Sequence, residues 1–293
     1  MRVLVAADAM AGLDPRGASE VIGHAFADAG AQVAVVPISD GGAFFSAAVA
    51  DFNPGASVTQ PATVADVRGC LDTGAPVVYV DLTGLARHTW DELRAIGPDA
   101  IDPMRAALAG RDLVGVVESG TQDAALTGLT GAVAQRGRRE GSDLADTLSA
   151  DTGVSRWAEA IGVDGTVPGT GAADGAGAII LALGGRITSG IEACVAGFDV
   201  ADTVARADLV VTGSSVLDFH AVGGNVVKEM SRLAAEALCP IVAIVGRNYV
   251  SSRELRLGGI ESAHPILDGP GEDEPIPAQL AEMATGVARS WKW

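Results

Sequence analysis

The sequence predicts an α/β protein with parallel sheets, because short apolar strands alternate with amphipathic helices. The clearest case is residues 207–246, where a buried strand at 209–211 precedes a polar loop, a helix and a second strand at 241–245. Pro240 ends the helix, since proline cannot continue one. This order predicts a βαβ unit, whose two strands are parallel.

The amino-terminal residues repeat that order. Residues 3–7 predict a strand, residues 17–29 a helix and residues 32–36 a second strand. Two βαβ units at opposite ends of a chain predict one shared sheet that contains all four strands. The middle of the chain is then an insertion into that sheet's domain.

The remaining segments have weaker patterns. Residues 53–73 are polar and predict a crossover between domains, and the charged residues 135–146 are expected to be exposed. Strands are predicted at 77–80, 113–117 and 262–266, the last at a sheet edge, and helices at 43–52, 90–96, 102–108, 147–161, 251–257 and 277–293.

Composition excludes several classes of protein. The 293 residues are 48% hydrophobic, enough for a substantial core, and a net charge of −17 argues against nucleic acid and anionic membranes as partners. The three cysteines have no metal or redox spacing and are expected to be free thiols. Asp8 interrupts the apolar amino terminus too early for a secretion signal, and the longest apolar run, 176–183, is too short to span a bilayer. A cytoplasmic protein is expected.

Polar loops at strand ends are the candidate sites, since ligands of open α/β sheets bind outside the carboxyl ends of the strands. The loop predicted at 212–225 carries Gly213, Asp218 and His220. Its pattern fits a ligand-binding site and a plain polar connector equally well. Asp40, Gly41 and Gly42 follow another strand and can approach a phosphate or hold a metal, although alone they favour a simple turn.

Two more segments can bind anions. Residues 118–123 follow a predicted strand and lead into a predicted helix rich in alanine and leucine, so the amides near Ser119 and Thr121 can form an anion site, or those side chains only cap the helix. Residues 168–185 combine a glycine-rich turn with an apolar helix, and the small residues allow close approach to a ligand or close packing. This segment lacks the phosphate-loop pattern of nucleotide-binding proteins.

Taken together, these segments resemble the bacterial glycerate kinase family, and the resemblance spans nearly the whole chain. It is carried by AADAMAG at 6–12, PISDGG at 37–42, ESGTQDA at 118–124, PGTGAADGAGA at 168–178, ADLVVTGSSVLD at 207–218, IVAIVGR at 241–247 and SAHPILDGP at 262–270.

The resemblance implies a Rossmann-like parallel sheet domain, residues 1–55 and 205–293, with a second α/β domain, residues 56–204, inserted into it. It implies a kinase that transfers the γ-phosphoryl group of ATP, with Mg²⁺, to a hydroxyl of glycerate in the cleft between the domains. Asp40 and Asp218 are then the expected catalytic residues and metal ligands. A homodimer is compatible with the sequence, which does not itself determine the oligomeric state. The implied substrate- or phosphate-binding residues are Asp8, Gly41, Gly42, Ser119, Gly120, Thr121, Asp123, Gly171, Asp174, Gly213, His220 and Lys228.

The chain departs from the family pattern at charged positions. Ala11 and Asn225 stand where the family carries lysines, and Ala43 stands where it carries a glutamate. Since phosphoryl transfer depends on neutralising phosphate charge, these losses support a second hypothesis, a relative that binds a small acid or nucleotide without efficient catalysis. Bulky Phe44 and Phe45 support a third, in which a reshaped pocket accepts a different acid.

Overall fold

The computed structural model describes residues 1–108, 110–218 and 223–291. The chain divides into two compact units: unit 1 consists of Met1–Ser39 and Ile191–Trp293, and unit 2 is the segment Asp40–Gly190 between them. The two-domain α/β fold class is thereby confirmed. The exact domain bounds expected from the sequence stay a prediction.

The elements alternate between strands and helices along most of the chain. The first part of unit 1 contains β1 (Arg2–Ala7), α1 (Pro15–Asp28) and β2 (Gln32–Val35). Unit 2 contains α2 (Ala43–Phe52), β3 (Ser57–Thr59), a 3-10 helix (Val64–Leu71), β4 (Val77–Asp81), α3 (Trp90–Arg94), α4 (Pro98–Ala107), β5 (Asp112–Val117), α5 (Ala132–Glu140), α6 (Leu144–Ala160), a second 3-10 helix (Ala172–Gly175), α7 (Ala176–Ala182) and β6 (Arg186–Ser189). The chain continues with α8 (Gly190–Gly197), α9 (Val200–Arg206), β7 (Leu209–Leu217), α10 (Gly224–Glu236), β8 (Ile241–Asn248), α11 (Ser252–Leu257), β9 (Ser262–Pro265) and α12 (Pro277–Ser290).

Unit 1 is built on a five-stranded parallel sheet in the order β2-β1-β7-β8-β9. Its central strands are almost wholly buried, as expected when helices cover both faces. The predicted sharing of one sheet by the two terminal βαβ units is confirmed, and so is the edge strand β9. The strand order changes direction between β1 and β7, which makes that point the topological switch of the sheet.

Unit 2 has its own parallel sheet of four strands in the order β3-β4-β5-β6. Gly115 in β5 leaves room for Ile180 of α7 and Ile187 of β6, because a Cβ at position 115 would lie 2.8 Å from Ile187 Cδ1. Strands β3 and β6 were not predicted, since each is only three or four residues long and only partly buried.

Two local predictions are wrong. Residues 212–217 do not belong to a loop: β7 continues to Leu217, because Gly213 allows Ile244 of β8 to approach closely and the Thr212 hydroxyl donates to Ala6 O at 2.8 Å. No helix follows Asp123: Leu126 N donates to Gly165 O at 2.8 Å instead of to its own segment, and α5 begins only at Ala132.

Each described helix is too short or too polar to span a bilayer.

Candidate active site

The carboxyl edge of the unit 2 sheet is organised around Asp81, the last residue of β4. This side chain is 1% exposed and accepts hydrogen bonds from Gly42 N at 2.7 Å, Gln60 Nε2 at 3.0 Å, and both the amide and the hydroxyl of Thr83 at 3.0 and 2.6 Å. A buried carboxylate is tolerated when its oxygens are paired in this way. Asp81 therefore fixes the start of α2 against the end of β4.

The segment Asp40–Gly42 is held closely against that strand end. Gly41 has φ 136°, and a Cβ there would lie 2.5 Å from Thr83 Cγ2, so only glycine fits. Gly42, with φ 71°, forms the amino-terminal cap of α2. These two glycines turn the chain so that Asp40 stays at the sheet edge.

Ser119 joins Asp40 there. Ser119 follows β5, and its hydroxyl donates to Asp40 Oδ1. The adjoining turn is also tied down, since Thr121 Oγ1 donates to Glu118 O and Gly120 N donates to Gln122 Oε1, both at 2.7 Å. No helix begins here, so Ser119 and Thr121 do not cap one, and binding of an anion by this turn stays a prediction. Asp123 is exposed.

The glycine-rich segment contributes Gly171 and Asp174. Gly171 N donates to Ala124 O at 2.8 Å, and its lack of a side chain lets the Ala125 carbonyl contact it. Ala173 and Asp174 have φ values of 48° and 51°, a left-handed conformation that costs about 1–3 kcal/mol for residues other than glycine. Such strain persists only where neighbouring groups hold it.

Asp174 is held at both its backbone and its side chain. Its carbonyl oxygen lies 3.2 Å from His88 Nε2, and its carboxylate Oδ1 accepts from Arg139 Nη2 at 3.1 Å. His88 is buried, and its own carbonyl accepts from Arg136 Nη2 at 2.6 Å.

Arg136 corrects a further expectation, because it lies in the segment predicted to be exposed and is only 7% exposed. Its guanidinium lies 4.6 Å from the centre of the Trp90 ring and donates through Nε to Glu140 at 3.1 Å. The hydrogen bond from Arg136, together with a second ion pair to Arg87, keeps the pKa of Glu140 below its usual value. Stacking and pairing compensate for burial of the charge.

A cavity of about 310 Å³ opens beside these groups within unit 2. It includes Thr121, Gly171 and Asp174, three residues that the sequence had marked. The other residues that line it are Leu82, Thr83, Leu85, Ala86, Arg87, His88, Glu118, Ala124, Ala132, Gln135, Arg139 and Ala173. Sequence reasoning missed Arg87, His88 and Arg139. Arg87 and His88 could have been found from the sequence, because they lie in the loop after β4, at the same sheet edge.

Phe44 and Phe45 do not line this cavity. Phe45 is fully buried with its ring edge-on to Tyr79 at 5.6 Å, and Phe44 is 45% exposed. Phe45 is therefore a core residue of unit 2, and the expectation that it shapes a pocket is wrong.

Unit 1 contains the predicted residues Asp8, Gly213, Asp218 and Lys228. Asp8 follows β1, and its amide donates to Gly213 O in β7 at 2.9 Å. A Cβ on Gly224, the first residue of α10, would lie 3.6 Å from Asp8 Oδ2. Asp8 therefore lies between the switch point and α10, where Lys228 is exposed. Asp218 directly follows β7.

His220 lies outside the described residues. Convergence of Asp40 and Asp218 on one site stays a prediction, since Asp40 belongs to unit 2 and Asp218 to unit 1.

The carboxylates at these sheet edges suit Mg²⁺ only when a phosphate ligand also coordinates the ion. Within the described ranges, no three His, Cys, Asp or Glu side chains form a group that could hold a metal. Mg²⁺ needs no such group, because it keeps several waters and is usually bound through one or two carboxylates plus substrate phosphates.

Comparison with known proteins identifies relatives along most of the chain. A model of the glycerate kinase family matches residues 92–292. An uncharacterized protein of Mycobacterium bovis is 28% identical over 229 residues, which cover 76% of this chain and 59% of that protein. Glycerate 2-kinase of Escherichia coli is 30% identical over 152 residues, covering 50% of this chain and 40% of the enzyme. The chain spans about three fifths or less of the length of these curated relatives.

The fold also has a counterpart in a crystal structure. A protein from Salmonella typhimurium described as glycerate kinase 2 superposes with a TM-score of 0.71 at 18% sequence identity, covering 99% of this chain and 98% of that one. At this identity the likeness shows the fold alone. Since the family model matches more than two thirds of the residues, the chain belongs to the glycerate kinase family.

Proposed function

We propose that this protein is an ATP-dependent kinase that phosphorylates a hydroxyl of glycerate or a similar small hydroxy acid. The observation that carries the proposal is the hydrogen bond between Ser119 and Asp40 at the unit 2 sheet edge, where the cavity also opens. Two loops far apart in sequence thus meet at the edge where α/β sheets bind ligands. Membership of the family supplies the reaction type.

The proposed roles follow from charge and hydrogen bonding. Asp40 or Asp218 accepts the proton of the attacking hydroxyl, and Ser119 orients Asp40 by donating to one of its oxygens. The residues expected to surround phosphate or carboxylate oxygens are Gly41, Gly42, Ser119, Gly120, Gly171, Gly213, Asp8, Thr121, Asp123, Asp174, His220 and Lys228.

Asp40 and Asp218 are the residues that would hold Mg²⁺ brought in on the nucleotide. Bound there, the ion would neutralise charge on the phosphate oxygens. A homodimer and a cytoplasmic location stay predictions.

A coupled assay of ADP release tests the proposal. We expect release that depends on both Mg²⁺·ATP and D-glycerate, and that is abolished in Asp40→Asn. Release without glycerate would indicate an ATPase, and no release with any small hydroxy acid would contradict the kinase proposal.

One observation favours the alternative, a catalytically impaired relative that binds a small acid or nucleotide. Ala11 is 2% exposed with φ 54°, so this position presents no side chain to a ligand, and Asn225 is exposed but uncharged. Neither position carries the lysine charge that the family has there, so we expect turnover to be weak compared with an ordinary family member. Calorimetric binding of Mg²⁺·ATP or glycerate without turnover would support this alternative.

A further inference from the structure

We propose that Arg139, assisted by Arg87, binds the carboxylate of a small hydroxy acid in the unit 2 cavity. The carboxylate of Asp174 forms an ion pair with Arg139 until the acid replaces it. This inference rests on the proposed function, because it names the binding group of the acceptor. Its two arginines, Arg87 and Arg139, lie outside the motifs that mark the family in this sequence.

Size and charge select the ligand class. A volume of about 310 Å³ is at the lower end of the range for small-molecule sites. Two guanidinium groups, Arg87 and Arg139, and two carboxylates, Glu118 and Asp174, line it. Their formal charges cancel, so the cavity opposes a ligand with one negative charge less strongly than a nucleoside triphosphate, which would bring several negative charges against Glu118 and Asp174.

The ion pair between Arg139 and Asp174 can be replaced by a pair with a ligand at little cost in stability. Arg139 and Asp174 are 61% and 30% exposed in their side chains, and exposed pairs contribute little to stability. A guanidinium offers five N–H donors in a planar fork, which matches a carboxylate in two parallel hydrogen bonds. In the pair with Asp174, Nη2 of Arg139 lies 3.1 Å from a single carboxylate oxygen. An incoming carboxylate can therefore bind the same guanidinium through two bonds.

The wall of the cavity is fixed independently of that pair. Arg136, which is 93% buried, holds the His88 carbonyl at 2.6 Å, and His88 in turn contacts the Asp174 carbonyl at 3.2 Å. The left-handed backbone at Asp174 is thus retained when its side chain leaves Arg139. One hydrogen-bonding group of the wall, Thr121 Oγ1, donates to Glu118 O and keeps its lone pairs for a ligand hydroxyl.

Calorimetry without nucleotide tests the assignment. We expect the wild-type protein to bind D-glycerate and not glycerol, which has the same hydroxyl chemistry without the carboxylate. Arg139→Gln should raise the Kd for D-glycerate by about tenfold or more, because a charge-assisted bidentate contact is lost. The matched control is Arg138→Gln, whose exposed guanidinium donates to Leu129 O at 3.2 Å and does not line the cavity, and its Kd should be unchanged.

A second variant tests the competing role of Asp174. Asp174→Asn keeps a residue that tolerates the left-handed conformation and removes the charge that occupies Arg139. We expect it to bind D-glycerate several-fold more tightly than wild type. Equal or weaker binding would contradict the replacement of Asp174 by the acid.

The outcomes separate this inference from the kinase proposal. Glycerate binding that is lost in Arg139→Gln, in a protein that releases no ADP, supports the subsite and rejects the kinase. Glycerate-dependent turnover whose KM for the acid is unchanged in Arg139→Gln rejects the subsite and keeps the kinase. Absence of binding of any small hydroxy acid to wild type overturns the subsite.

Discussion

The carboxyl edges of the two sheets are built from different parts of the chain. In unit 2, side chains organise the edge: Asp81 accepts four hydrogen bonds, Ser119 donates to Asp40, and Arg139 pairs with Asp174. In unit 1, backbone groups take part in the contacts across the edge: Asp8 N donates to Gly213 O, and Ala9 O accepts from the Ser215 hydroxyl at 3.2 Å.

This difference suggests a division of chemistry. Fixed side-chain charges recognise a particular small acid, whereas backbone amides and a helix amino terminus suit phosphate groups of many ligands. The unit 2 edge is therefore expected to be sensitive to loss of side chains, and the unit 1 edge to their addition.

The largest effect is expected for Asp81→Ala in unit 2. The change leaves the donors of Gly42, Gln60 and Thr83 without their buried acceptor, which should lower the free energy of unfolding by about 3 kcal/mol. Urea denaturation measures the change. Asp112→Ala, which removes an exposed aspartate at the start of β5, is the control and should have almost no effect. A loss below about 1 kcal/mol for Asp81→Ala would mean that the edge does not depend on this side chain.

In unit 1 the opposite change should be harmful. Gly213→Ala places a Cβ 2.5 Å from Ile244 O and 3.1 Å from Met10 Sδ, so we expect a loss of about 2 kcal/mol. The control is Gly286→Ala on the exposed side of α12, where a Cβ meets nothing within 4 Å. It should stabilise by up to about 1 kcal/mol because alanine favours helices. Effects of the same sign in both variants would contradict the packing argument.

A smaller effect is expected for nucleotide affinity. Asn225→Lys adds a cation in the exposed first turn of α10 and should lower the Kd for Mg²⁺·ATP about fivefold, which corresponds to about 1 kcal/mol. Ala278→Lys makes the same change of charge in the first turn of α12 and should leave the Kd unaltered. The matching Ala11→Lys change is unsuitable, because Ala11 is buried in the unit 1 core with φ 54°. Equal effects at positions 225 and 278 would indicate general attraction by charge, with no phosphate site at α10.

The smallest effect concerns pH. Half-burial lowers the pKa of His264, on the edge strand β9, below its ordinary 6.5. The unfolded chain therefore takes up the proton first as pH falls, so this contribution to stability is present above pH 6.5 and is lost as pH falls through the lowered pKa. Urea denaturation between pH 7.5 and 5 should show a slightly larger loss for wild type than for His264→Asn. The same loss in both proteins would show that another group is responsible.

Sequence periodicity was sufficient for the sheet of unit 1. Its strands β1, β2, β7 and β8 are apolar runs flanked by helices. A local pattern of that kind can be recognised without knowledge of the rest of the fold. The extent of β7 could not be predicted, because Gly213, Ser214 and Ser215 suggest a turn and become a strand only through pairing with β1 and β8. Tertiary context outweighed local propensity there.

The candidate site was predictable in part. Asp40, Ser119, Gly171 and Asp174 were marked by their loops, and Asp40 and Ser119 are in contact. Arg139 could not be assigned to Asp174, since 35 residues separate them and no short-range pattern relates the two. Arg136 looked exposed because its neighbours are charged, and only Trp90 and His88, which are distant in sequence, explain its burial.

The proposed reaction transfers a phosphoryl group from ATP to a hydroxyl of a small acid. Phosphorus NMR of the products from ATP, Mg²⁺ and ¹³C-labelled D-glycerate tests it most directly, because the signal of a phosphomonoester splits through coupling to the labelled carbon that bears it. We expect such a signal in an amount equal to the ADP formed. Formation of ADP with inorganic phosphate alone, or an unchanged ATP spectrum after prolonged incubation, would contradict it.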